Sequence, residues 1–223
     1  MGETLDLFAN LMAPAQTPPV RCRCYDVAPP RGLRVKCKLC GREALATKQA
    51  PLLAPPSMRG SARFSACGRY RYSLERWWGD ETDPLVVCLL NPSKAGADPK
   101  DGDPTVARQI VRAKRLGAGG LIVVNAYAFV STDPDGLKLS LAAGVDPVGP
   151  ENDAAILGAA RRSRRGVLCG WGQHATLLAR GRAVATLLRG AGVELFALKV
   201  NADGSPQHPL YLPYSLRPLS YLA

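Results

Sequence analysis

The sequence predicts an α/β protein: a three-layer α/β/α sandwich around a mainly parallel four-stranded sheet, preceded by a small cysteine-rich module. Three observations carry that expectation. Four short runs, "LVVCLLN" (85–91), "GLIVVNAYAF" (120–129), "RGVLCGWG" (165–172) and "GVELFALKV" (192–200), are apolar at successive positions, as strands covered on both faces must be. Segments of helical length and spacing separate them, and strand–helix alternation implies right-handed crossovers that put helices on both sides of a parallel sheet. Four of the seven cysteines crowd into residues 22–40, well away from those runs.

Taken in order, residues 1–20 close on the proline-rich "APAQTPPV" and are expected to be a flexible N-terminal segment. Residues 21–49 form the cysteine module, residues 50–62, around "APLLAPPSMRG", a linker, and residues 63–223 the α/β domain. Within the module, "CRCYDVAPPRGLRVKCKLC" sets a C-x-C pair, Cys22 and Cys24, against a C-x-x-C pair, Cys37 and Cys40. Four thiolates on two turns can close a tetrahedral metal site, and the pattern resembles a small zinc ribbon. Structural zinc is the expectation; free thiols or an iron–sulfur cluster are the alternatives. Nothing calls for an organic cofactor. Cys67, Cys88 and Cys169 are scattered, the last two within apolar runs where a thiol serves as a small hydrophobe.

In the domain, "RYRYSLERWW" alternates basic and aromatic residues ahead of the first apolar run. The helical segments are "DPTVARQIVRAKRLG", "PENDAAILGAARRSRR" and "HATLLARGRAVATLLRG". The first puts Val106, Ile110, Ala113 and Leu116 on one face, with Pro104 and Gly117 suited to its ends and Asp103 to its cap. Its other face carries Arg108, Arg112 and Arg115 at i, i+4 and i+7, a stripe that reads either as solvated surface or as a nucleic-acid contact.

Ligands of such sheets lie beyond the carboxyl ends of the strands, where the polar residues of this sequence fall. Asn91-Pro92-Ser93 ends the first run, Asn125 lies near the end of the second, "GWGQH" follows the third, and His208 sits in "QHPLYLP" after the fourth. Asn91 and Ser93 are also ordinary turn residues, and His208 between restricted prolines could be a satisfied loop histidine. Asn125 is harder to explain by turn chemistry, because an unpaired amide in an apolar run costs about 1–3 kcal/mol. An asparagine can orient a water or read an amide-like edge, but it cannot act as a strong base.

The segment from about Phe64 onward resembles a bacterial and phage domain known as domain of unknown function 1643, through "YRYSL", "LLNPSKAGADPKDGDPT", "GGLIVVNAYAFVSTDP", "DPVGPEND", "CGWGQH" and "HPLYLP". More distantly, the order of strand-end motifs is similar to that of the uracil-DNA glycosylase superfamily. "LLNPSKAGA" resembles its Asn-Pro motif, "LIVVNAYAF" its base-reading strand, and "HPLYLP" its His-Pro-Ser motif. That resemblance implies a glycosylase-like fold and N-glycosidic hydrolysis of a modified or damaged base. Asn91 would position the water, with Pro92 and Ser93 beside it; Asn125 would read the base, and His208 would donate to the base oxygen that becomes negative. Tyr127, Phe129 and Trp171 are the candidates to stack on a flipped base, with core packing as their alternative.

Lys and Arg exceed Asp and Glu by 29 to 18, a formal charge of +11, which favours a polyanionic partner, DNA first among nucleic acids. No run reaches membrane-spanning length and the first residues lack a secretory pattern, so a cytoplasmic protein without a membrane partner is expected. Two other functions fit the same features: a non-catalytic nucleic-acid-binding module, and an enzyme acting on a small nucleotide.

Overall fold

The structure, a computed structural model, describes residues 34–36, 43–45, 58–79, 81–133 and 135–222. The chain divides into two compact units, residues 1–57 and 58–223. In the first, strands β1 (Arg34–Lys36) and β2 (Glu43–Leu45) pair antiparallel, Val35 opposite Ala44. Cys22, Cys24, Cys37 and Cys40 lie outside the described residues, as do the expected flexible N-terminal segment and most of the expected linker.

The second unit is an α/β fold on a mixed sheet of seven strands: β3 (Arg59–Phe64), β4 (Arg71–Trp77), β5 (Leu85–Leu89), β6 (Gly120–Asn125), β7 (Val167–Cys169), β8 (Leu195–Ala197) and β9 (Leu219–Ser220). Their order is β3-β4-β6-β5-β7-β8-β9. The four expected strands, β5 to β8, form the parallel centre. Antiparallel β3 and β4 extend it on one side and β9 on the other, so the sheet is larger than the expected four strands. The central strands are apolar on both sides because both are covered, whereas β3 is an exposed edge with an alternating, arginine-bearing sequence. β3 also begins inside the segment expected to be linker.

Helix α1 (Pro104–Arg115) follows β5, α2 (Asp135–Ala142) and α3 (Asn152–Ala160) follow β6, and α4 (Arg180–Gly190) follows β7. Side chains of β5 alternate between two cores. Val86 and Cys88 pack with Ile156, Ala159, Val184 and Leu188 of α3 and α4, while Leu85, Val87 and Leu89 pack with Val106 and Ala113 of α1. The crossovers that leave the adjacent strands β5 and β7 therefore run to opposite faces. The carboxyl ends of those two strands flank a topological switch point, where open α/β sheets hold their ligands.

Asp103 caps α1 through Val106 N at 2.8 Å, with Pro104 in the first turn, as the sequence predicts. The helix expected over 174–190 is shorter: residues Gln173–Ala179 form a 3-10 segment, and Leu178 (φ 54°) and Ala179 (φ 51°) turn left-handed before α4 begins. Among the described residues no helix is long and apolar enough to cross a membrane.

Candidate functional site

Beyond Leu89 the chain leaves the sheet but stays zipped to the residues after β6: Ala126 N donates to Leu89 O at 2.8 Å, Tyr127 N to Leu90 O at 2.9 Å, and Ser131 N to Pro92 O at 2.9 Å. Asn91, half-buried, points its amide into this zipper and donates from Nδ2 to Ser131 O at 2.7 Å. A longer contact reaches Pro92 O at 3.4 Å. Its donor group is thereby engaged, and Oδ1, a pure acceptor, has no partner among the described residues.

Pro92 is buried and carries the chain into Ser93, whose hydroxyl donates to Asp103 Oδ2 at 2.5 Å. The loop between them wraps on two buried guanidiniums. Arg71 Nη1 donates to Ala95 O at 2.8 Å and to Ser93 O at 3.4 Å. Arg76 donates to Gly96 O at 2.8 Å, Asp98 O at 3.0 Å and Ala97 O at 3.3 Å. Arg71 is only 2% exposed, and burial pulls it down to about 10 while the nearby negative charge of Asp103 holds it up. It remains a cation at neutral pH, facing carbonyl dipoles instead of a contacting carboxylate.

His208 reaches the same edge from the far end of the chain. A Cβ placed on Gly170, just past β7, would stand 2.8 Å from Pro209 Cδ and 3.3 Å from Leu89 Cδ2, so Pro209 sits against the ends of β5 and β7. A Cβ on Gly172 would stand 3.7 Å from that of His208. Nδ1 of His208 accepts from Leu210 N at 3.4 Å, capping the 3-10 turn Pro209–Tyr211. Burial lowers the pKa of the imidazole, partly opposed by the negative charge of Asp103. The ring is therefore neutral at pH 7, and with Nδ1 accepting, its proton belongs on Nε2. Asp103 thus lies among three groups of the site: Ser93 by hydrogen bond, Arg71 and His208 through space.

Asn125 ends β6 beside Leu89 and is 2% exposed. Its carbonyl accepts from Asn152 Nδ2 at 3.0 Å, as does that of Ala126, while its own amide has no partner among the described residues. Asn152 is fully buried and, with Arg180 Nε on Ala126 O at 2.7 Å, fixes the bend after β6. Neither aromatic candidate in that region shows a ring face. Tyr127 is fully buried, its hydroxyl 2.5 Å from Leu177 O, and Trp171 is 2% exposed and edge-on to Tyr221. Phe129 packs edge-on to Tyr70. These rings fill the core beside the edge.

The arginine stripe of α1 is not simply solvated. Arg112 is 2% exposed and donates to Leu212 O at 3.3 Å and Pro213 O at 3.4 Å, and Arg108 donates to Leu212 O at 2.9 Å. Arg108, Arg112 and Arg115 all lie against the ring of Tyr214. They hold down the segment that follows His208, a role invisible to helical periodicity because its partners are about a hundred residues downstream. Sequence reading also passed over Arg71, Gln109 and Asn152, three buried polar residues. For Arg71 strand alternation points the wrong way, since it groups Arg71 with Ser73 and Glu75 opposite Leu74; a register irregularity opposite Arg63 and Phe64 is what leaves Arg71 buried beside Tyr72.

No curated protein and no solved structure matches the chain. The family described as "Protein of unknown function (DUF1643)" matches residues 71–210, from the first residue of β4 to just past His208. That span includes Arg71, the Asn91–Asp103 loop, Asn125 and His208, and on this match the chain belongs to the DUF1643 family.

Proposed function

We propose that the protein processes bases in nucleic acid, DNA first, by hydrolysing the N-glycosidic bond of a modified or damaged base. One observation carries the reading: at a single sheet edge, at the topological switch point, a fixed amide keeps an acceptor spare and a neutral imidazole keeps a donor spare. Loss of a base leaves an oxocarbenium-like sugar and an anionic base, so the chemistry needs a donor at the base more than a strong base at the water. Asn91 Oδ1 would accept from the water and aim its oxygen at the sugar carbon. His208 Nε2–H would donate to the base oxygen on which charge collects. As the sugar–nitrogen bond breaks, its electron pair leaves with the base; the water oxygen bonds to the sugar carbon, and the proton it sheds ends on the base through solvent. Asn125, with an unpartnered amide at the end of β6, would read the base edge. The order of motifs resembling uracil-DNA glycosylases supports the same assignment.

The test is a gel assay for abasic sites, using duplexes with uracil, hypoxanthine or phage-type modified bases. Alkali-labile cleavage should appear with the wild-type chain and fall at least about 100-fold in Asn91→Ala and in His208→Gln, the scale of losing one positioned proton-transfer or donor group. Binding without cleavage, unchanged in Asn91→Ala, would identify a recognition module instead. For the four cysteines we propose structural zinc. Four thiolates suit a closed tetrahedral site, and release of one zinc per chain on thiol modification would establish it.

A further inference from the structure

The arginines around Tyr214 differ from the other arginines of the domain that contact an acidic group. Arg59, Arg63, Arg162, Arg165 and Arg180 each have a carboxylate partner, Glu81, Glu151, Glu75, Asp83 and Asp153 respectively. Arg108, Arg112 and Arg115 form no ion pair among the described residues. Their guanidinium carbons nevertheless lie 4.6, 5.4 and 4.7 Å from one ring centroid. No two are then more than about 10 Å apart, close to the screening length of about 8 Å at physiological salt, so the three charges repel and sum. The like charges of Arg108 and Arg115 add to burial in lowering the pKa of Arg112. Arg108 and Arg112 spend donors on the Leu212 and Pro213 carbonyls. Arg115 is exposed and its guanidinium has no hydrogen-bond partner among the described residues. A fold that only needed to pin Tyr214 could do so with one cation. Arg112 is buried and the unpartnered Nε atoms of Arg108 and Arg112 are closed off. Arg115 is therefore the open fork a phosphate group can take up, with Arg108 and Arg112 adding uncompensated positive charge beside it.

We propose that Arg115, backed by the charge of Arg108 and Arg112 on the same Tyr214 ring, binds a phosphodiester backbone that runs along α1 away from His208. This rests on the reading above, since the same strand would present its base at Asn91 and His208. The geometry favours a polymer over a nucleotide. Asp103, at the site, and Arg115 are separated by twelve helical steps of about 1.5 Å, about 18 Å in all, or some five phosphates along one strand. A single nucleotide cannot occupy both ends. The platform and the candidate site are also covalently joined, because Asp103 caps α1 and His208 opens the segment that carries Tyr214. Phosphate bound on the arginines would cancel their mutual repulsion and tighten the segment that places the imidazole.

The test is fluorescence anisotropy with labelled, unmodified DNA and RNA oligonucleotides of 4 and 16 nucleotides, titrated over a range of salt against the full chain. Arg115 is exposed, so Arg115→Gln should fold, which its unfolding midpoint would check. In that variant the slope of log affinity against log salt should fall by about 0.7–0.9 in magnitude, the value of one lost phosphate contact, and Arg115→Lys should restore it. The 16-mer of either polymer should bind at least about tenfold tighter than the 4-mer, and a mononucleotide or inorganic phosphate should compete poorly. An unchanged slope in Arg115→Gln, or a mononucleotide competing as well as the 16-mer, overturns the proposal. Base release measured on the same preparations separates the two ideas. A changed slope with no base release from any duplex keeps this site and sinks the hydrolytic reading, and base release with an unchanged slope does the reverse.

Discussion

Replacing Asp103 with Asn removes one negative charge and little else. Oδ1 can still accept from Val106 N, now 2.8 Å away, and the amide nitrogen can meet the Ser93 oxygen, now 2.5 Å from Oδ2. A hydrogen bond to a charged group is roughly twice as strong as a neutral one, so the loss in stability should be about 1–2 kcal/mol. Asp103→Ala also removes the cap, worth about 1 kcal/mol, and the whole Ser93 bond, worth about 1.5–3 kcal/mol. Its melting temperature should drop by roughly 5–15 °C for a domain of this size. The sharper readout is electrostatic. Because Asp103 holds the His208 imidazole up against burial, Asp103→Asn should let its pKa fall further. The chain has two histidines, so one NMR titration follows both rings, and His208→Gln assigns the signal. A His208 pKa that stays put or rises in Asp103→Asn would refute the claim that carboxylate and imidazole face one another, and with it the convergence of the two chain segments.

Other perturbations read other contacts. Gly60→Ala would drive a methyl to 2.2 Å from Ala97 O and 2.9 Å from Arg76 Nη1, and should cost about 1–3 kcal/mol in urea unfolding; a neutral result would mean that the 93–98 loop yields easily. Gln109 is fully buried with both amide atoms unpartnered, so Gln109→Leu should stabilise by about 1 kcal/mol, and a loss instead would show that the amide has a partner such as water. His208, with its pKa lowered below the ordinary 6.5, binds its proton more weakly folded than unfolded. Its contribution to stability is therefore complete above pH 6.5 and is lost as pH falls through the depressed value. Urea midpoints from pH 8 to 5 should show that decline in the wild type and a shallower one in His208→Gln.

The parallel centre was legible because burial on both faces leaves a simple trace: four unbroken apolar runs, each confirmed as a strand within a few residues. The antiparallel flank was not, because β4 carries Arg71 and Arg76 at buried positions, and a charge in a strand reads as surface unless its partners are known. Those partners are backbone carbonyls of residues 93–98, which carry no sequence signature. Helix α2 escaped for a different reason: Leu137 is buried while Leu139 is 70% exposed, so its leucines do not mark one face. At the site, Asn91, Ser93 and His208 were recognisable as polar strand endings, and the structure brings their segments to one edge. Tyr127 and Trp171 have the same residue chemistry as base-stacking groups, but composition cannot tell an aromatic facing a cleft from one facing a helix.

The loop from Asn91 to Asp103 has no regular secondary structure, yet a water-aiming amide requires a fixed backbone. Ordering each such residue costs about 1–2 kcal/mol, and no ladder of sheet or helix bonds is present to offset it. Two guanidiniums supply the missing donors. Arg71 and Arg76 together hold the carbonyls of Ser93, Ala95, Gly96, Ala97 and Asp98, five acceptors in six residues, from a strand that is itself locked between β3 and β6. Lysine could not substitute, since its single ammonium lacks the planar fork that spans successive carbonyls. Burying these cations is tolerable because Asp98, Asp101 and Asp103 return negative charge to the same loop, as their support of the Arg76 pKa against burial indicates. The loop is therefore held from within, with five carbonyls turned inward on arginine and Ala95 packed into the core. Asn91, Ser93 and Asp103 can then keep their places without a regular element beneath them, and the antiparallel strand that sequence patterning hides is the one that makes the candidate site rigid.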